Sequence, residues 1–159
     1  MKIFTTIFFF LFLTGLKLFG QSDYSQLKQK FLTADSIIAI SYGSNADSIQ
    51  GLEFLLKNEY LSLYSLRAKQ QLDHTQISQL INILTSGDRI LGRKATTKYF
   101  KPRNAILIYK DSVLSYIDIC FTCQRIETTD DIHFDDFDIK PDKWTKIKQY
   151  FKNLNLIDN

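Results

Sequence analysis

The chain has 159 residues, two cysteines and a formal net charge of +3. That length suits one domain with a modest core. The sequence holds no Gly-x-Gly-x-x-Gly, P-loop, His-Glu-x-x-His, Gly-x-Ser-x-Gly, internal repeat or low-complexity tract, so the enzyme classes those patterns mark drop out.

The first twenty residues read as a secretory signal peptide. Lys2 supplies a short positive start, Ile3 to Leu13 are apolar apart from Thr5 and Thr6, and polar residues begin at Gln21. The apolar core is too short for a comfortable membrane span, and Lys17 near its end argues against an uncleaved anchor. Cleavage is expected after the small Gly20, although Leu18 is bulky for its position. No cysteine stands near that junction, which excludes a lipid-modified terminus. Removing residues 1–20 takes away Lys2 and Lys17 and lowers the formal charge from +3 to about +1. The expectation is a signal peptide at 1–20 and a single exported domain at 21–159, periplasmic or secreted, with no transmembrane segment after cleavage.

Along the mature chain, Tyr24, Leu27, Phe31 and Leu32 fall near one side of a helix over 23–34. Residues 36–42, SIIAISY, form a strand between Asp35 and Gly43, and the turn-rich stretch 43–51 follows. The segment 52–71 is ambiguous at first, but the alternation from Tyr60 to Arg67 predicts a strand. The clearest helix covers 74–86. Asp73 is its N-cap, Gln76 completes a capping box, Gly87 terminates it, and Ile77, Leu80, Ile81 and Leu84 make the buried stripe.

A β-hairpin is expected next, with strands Ala105–Tyr109 and Val113–Phe121 turning at Lys110, Asp111 and Ser112. Alternation sets Val113, Ser115, Ile117, Ile119 and Phe121 on one face, and Leu114, Tyr116, Asp118 and Cys120 on the other. Pro141 opens the last helix, which turns Trp144, Ile147, Phe151 and Leu154 inward. The order helix, strand, strand, helix, hairpin, loop, helix gives an α+β fold, an antiparallel sheet covered by helices with a β-hairpin in its C-terminal half.

Cys120 and Cys123 form a Cys-Phe-Thr-Cys motif at the end of the hairpin. In an exported protein two neighbouring cysteines oxidise, and a turn after the strand brings them within reach. Such a small ring is worth on the order of 2 kcal/mol and fixes the chain's exit from the strand. A redox role needs a thiol with a depressed pKa. Arg125 is the neighbouring cation, Asp118 on the Cys120 face opposes the effect, and the following residues make a poor helix. A metal role needs further ligands. His133 stands ten residues beyond Cys123, whereas His74 sits at a helix start with no reason to approach.

Two charged stretches stand out. Arg89, Arg93, Lys94, Lys98, Lys101 and Arg103 lie close together with Tyr99 and Phe100. In an exported protein this mixture suits a phosphorylated lipid headgroup, an acidic glycan or an acidic protein face rather than nucleic acid. The acidic run 127–138 has neither the alternate ligands nor the turn glycine of an EF-hand. Its carboxylates do not mark a glycosidase cleft in so short a chain, and neither histidine is set in a recognisable triad.

Pro102, Arg103, Ile106, Tyr109, Ile117, Ile119, Cys120, Phe121 and Cys123 form a pattern of Pro-Arg, apolar hairpin and Ile-Cys-Phe-x-Cys. In this it resembles a group of small exported bacterial proteins without an assigned function. The resemblance covers residues 102–123 and implies a shared hairpin, with Arg103 near the cysteines. The sequence thus points to a non-catalytic binding or structural module with a local Cys120–Cys123 disulfide or thiol pair and no cofactor. Its partner would be an envelope or extracellular protein, a glycan or a lipid headgroup, met through Arg93, Lys94, Lys98 and Lys101. The alternative is thiol–disulfide exchange or metal handling by Cys120 and Cys123, with Arg103 or His133.

Overall fold

The computed structural model describes residues 23–43, 66–86, 100–132, 134 and 139–157. In chain order they form α1 (Asp23–Leu32), β1 (Ser36–Tyr42), β2 (Leu66–Gln71), α2 (His74–Thr85), β3 (Asn104–Lys110), β4 (Val113–Cys120), β5 (Arg125–Thr128) and α3 (Pro141–Asn153). The strands make one antiparallel sheet in the order β2-β1-β3-β4-β5. The fold is α+β.

Side-chain alternation decides which residues meet. The cross-strand pairs Ile37–Ile108, Ile106–Ile117 and Ile119–Ile126 place a belt of β-branched residues on one face. Against that belt pack Leu27 and Phe31 of α1, Leu80 and Leu84 of α2, and Trp144, Ile147 and Phe151 of α3, all in one buried cluster. The opposite face carries a second cluster of Ile40, Tyr42, Ala105 and Leu107, flanked by Ile38, Tyr109, Leu114 and Tyr116. β3 is therefore buried on both sides, and Asn104 to Ile108 are all inaccessible. A strand enclosed in this way reads as a continuous apolar run instead of an alternation.

Local chemistry fixes the ends of the elements. Asp73 accepts from the Gln76 N–H at 2.8 Å, and the Asp73 N–H donates to Gln76 Oε1 at 2.9 Å, completing the capping box of α2. The other end of α2 is served by a side chain from α3. Lys143, 3% exposed, donates from Nζ to the Leu84 carbonyl at 2.9 Å and sits 5.1 Å above the Tyr24 ring. A buried ammonium requires such partners, and this one ties all three helices together. The β3–β4 turn is a two-residue loop with Asp111 at φ 49° and Ser112 at φ 65°. Both values belong to the turn family whose twist matches a hairpin. The Asp111 N–H also donates to Asp35 Oδ2 at 2.7 Å.

Three expectations need correction. β2 begins at Leu66 and runs to Gln71, so it meets the expected strand 60–67 only at Leu66 and Arg67, while 60–65 lie outside the described residues. Its polar Lys69, Gln70 and Gln71 suit a strand at the edge of the sheet and carry no apolar alternation. Leu32 is 59% exposed, because it ends α1 and lies off the line of Tyr24, Leu27 and Phe31. Residues 125–128, expected within a loop, form β5. With four residues and only Ile126 buried, this strand has almost no periodic signal.

The Lys30 ammonium of α1 pairs with the Asp131 carboxylate, which also accepts from the Ser115 hydroxyl of β4 at 2.7 Å. Burial alone would raise the Asp131 pKa. The hydrogen bonds from Lys30, Thr129 and Ser115 outweigh it and pull the carboxyl from 3.8 down to about 2. A folded-state pKa below the unfolded one contributes stability above the unfolded value and loses it as pH falls through the folded value. Unfolding midpoints should therefore drop between about pH 4 and about pH 2. In Asp131→Asn this segment of the profile should flatten, and an unchanged slope would show that the contact does not contribute. Half-exposure of Asp131 keeps the size of the effect modest.

Candidate functional site: the cysteine turn and the sheet face beside it

β4 ends at Cys120 and β5 begins at Arg125, and these two residues are cross-strand partners. The turn between them, 121–124, returns the chain through Gln124 at φ 50°. Cys120 and Cys123 are joined by a disulfide, with their Cα atoms 5.5 Å apart, well inside the usual span for such a bond. Both are buried, Cys120 at 2% exposure and Cys123 at 8%.

What encloses them is aromatic. Phe100 forms a small buried cluster with the two cysteines, separate from the main core. The Arg125 guanidinium lies 5.4 Å above the Phe100 ring centroid and reaches Glu127 at 3.7 Å. Phe121, between the cysteines, points into the main core. It meets Phe151 edge-on at 5.5 Å and Trp144 at 6.4 Å. The turn is thus held from the helix side by Phe121 and closed on itself by the disulfide. Inside it, the Cys123 N–H donates to Cys120 Sγ at 3.1 Å.

Arg103 is exposed, and its backbone lies at the same end of the sheet as Cys120. Its N–H donates to the Ile119 carbonyl at 3.3 Å, and its carbonyl accepts from Tyr42 N–H at 2.9 Å. The guanidinium on the strand neighbouring Cys120 from the other side is Arg125. Lys101 is exposed, while Arg93, Lys94, Lys98 and His133 lie outside the described residues. His74 is exposed at the first position of α2. Among the described residues, no group of three His, Cys, Asp or Glu side chains could hold a metal ion. No helix among them is long and apolar enough to cross a membrane.

One feature of this face escaped sequence reasoning. Tyr42 and Asp118, 0% and 1% exposed, are joined by a hydrogen bond from the phenol to the carboxylate. They belong to β1 and β4, so the contact passes over β3, where the small Ala105 leaves room. Asp118 Oδ1 also accepts from the Ile119 N–H at 3.1 Å, and Glu127 is its cross-strand partner on β5. Burial, then the charge and hydrogen bond of Asp118, keep the Tyr42 phenol protonated far above the ordinary tyrosine range. The available signal was a lone aspartate in an apolar strand; its partner, 76 residues earlier, ends a strand that reads as plain core.

Comparison with protein-family models, with curated proteins and with solved structures gave no match.

Tyr42→Phe keeps the ring and removes one donor from a buried carboxylate. The cost should be about 1.5–3 kcal/mol in denaturant unfolding, the range for hydrogen bonds to charged groups. A loss under about 0.5 kcal/mol would mean that Asp118 does not depend on this phenol.

Proposed function

We propose that the chain is an exported, non-catalytic binding or structural module in which Cys120–Cys123 is a local clip. The observation that carries this reading is the closed and buried disulfide, screened by Phe100 and anchored through Phe121 to α3. A sulfur that exchanges as part of its work is ordinarily accessible to its partner, whereas both sulfurs here are enclosed. Disulfides persist in oxidising compartments, which fits export directed by residues 1–20. The resemblance of residues 102–123 to small exported bacterial proteins belongs to the same reading.

The partner class is an anionic surface in the envelope or outside the cell: an acidic protein face, a glycan or a lipid headgroup. Lys101 is exposed at the start of the segment that leads into β3, and Arg93, Lys94 and Lys98 would extend that charge. Binding of this kind weakens as salt rises.

Export is tested by producing the full chain in a diderm bacterium, fractionating the cells and sequencing the recovered N-terminus. The expected product begins at Gln21, lies outside the cytoplasm and has no thiol that reacts with an alkylating reagent until it is reduced. Full-length protein in the cytoplasm with two reactive thiols would overturn the proposal.

A further inference from the structure

The turn places its two sulfurs in opposite surroundings, a difference that goes beyond a structural clip. Cys120 Sγ accepts from the Cys123 N–H at 3.1 Å, and the Thr122 hydroxyl lies 3.9 Å away. Cys123 Sγ faces an acceptor, the Cys120 carbonyl oxygen, at 3.9 Å. A donor stabilises a thiolate, while an acceptor stabilises the protonated thiol. The local backbone therefore favours negative charge on Cys120 and a proton on Cys123.

The surrounding charges support the same assignment. Arg125 is the cross-strand partner of Cys120, and its guanidinium rests on the Phe100 ring that packs with both cysteines. The Arg103 backbone lies at the same end of the sheet, with its side chain exposed. Two carboxylates oppose them: Asp118 is engaged by the Tyr42 hydroxyl and the Ile119 N–H, while Glu127 pairs with Arg125 and offsets part of that guanidinium's charge, so the hydrogen bonds at the two sulfurs carry the assignment. Access is unequal as well, since Cys123 is 8% exposed and Cys120 only 2%.

This arrangement does not rest on the sulfur–sulfur bond alone. Phe121 is held between Phe151 and Trp144, and the Ile119–Ile126 pair fixes the register of the two strands. These contacts hold the strand ends on either side of the turn independently of the bond.

We propose, building on the clip reading, that when a strongly reducing dithiol does open this disulfide it opens in one direction: an incoming thiolate bonds to Cys123 Sγ, and Cys120 leaves as the thiolate. The co-reactant is a dithiol. Its first sulfur forms a bond to Cys123 as the Cys120–Cys123 bond breaks, and the electron pair goes to Cys120. Its second thiolate then attacks the first sulfur, forming the dithiol's own disulfide, and Cys123 leaves and takes up a proton. The protein disulfide is reduced to two thiols and the dithiol is oxidised. A lower leaving-group pKa speeds departure, so Cys120 is the better leaving group.

The test uses the oxidised protein and reduced glutathione as a monothiol probe, so that the reaction halts at the mixed disulfide. Free thiols are trapped with iodoacetamide, and the tryptic peptide Asp111–Arg125 is fragmented to place each label. Glutathione should be found on Cys123 and the acetamide on Cys120, by about fivefold or more over the reverse. An even or reversed distribution overturns the proposal. A second measurement decides the matter if no adduct forms. In Cys123→Ser the Cys120 thiol should titrate about one pH unit or more below the Cys123 thiol of Cys120→Ser, followed by thiolate absorbance. Coincident or reversed titrations overturn the proposal as well.

Discussion

β3 is enclosed along both faces from Asn104 to Ile108, and the rest of the architecture answers to that burial. One side of the strand needs the helix layer, and Ile106 and Ile108 receive it from the cluster that includes Leu80, Ile147 and Phe151. The other side, at Ala105 and Leu107, needs its own apolar cover from Ile38, Tyr109, Leu114 and Tyr116. The backbone is satisfied by β1 on one edge and β4 on the other. Because a buried peptide group without a hydrogen bond is costly, β3 cannot be central unless both neighbours are in register. The buried Tyr42–Asp118 contact spans those same two neighbours.

With the centre settled by burial, the cysteine turn has a narrower task. It lies at one end of β4 and β5, and β5 is a short edge strand with a single buried side chain. A ring of about four residues removes little chain entropy, on the order of 2 kcal/mol. That is too little to hold a domain, but enough to keep a four-residue strand paired at its start. Phe121 supports the same end from the helix side through Phe151 and Trp144. Two weak restraints thus meet at a sheet edge that has little to bury.

The parts that were legible in the sequence are those whose signal is local. The capping box at Asp73 and Gln76, the strand 36–42, the hairpin faces and the inward row of α3 all follow from spacing alone. The parts that were not legible depend on residues far apart in the chain. Lys143 resembles any lysine on a polar helix face until Leu84 and Tyr24 are placed beside it. β2 and β5 are edge strands, paired on one side with few buried side chains, so alternation cannot announce them. At the cysteines the spacing permitted a ring, but the enclosure by Phe100 and the opposite environments of the two sulfurs come from tertiary packing.

The most direct test of the clip is the reduction potential of Cys120–Cys123 in the mature protein, equilibrated against a dithiol buffer. A potential below about −300 mV is expected, the range of structural disulfides that resist reduction. A value between about −120 and −230 mV would place the pair among exchange-active dithiols and contradict a structural role.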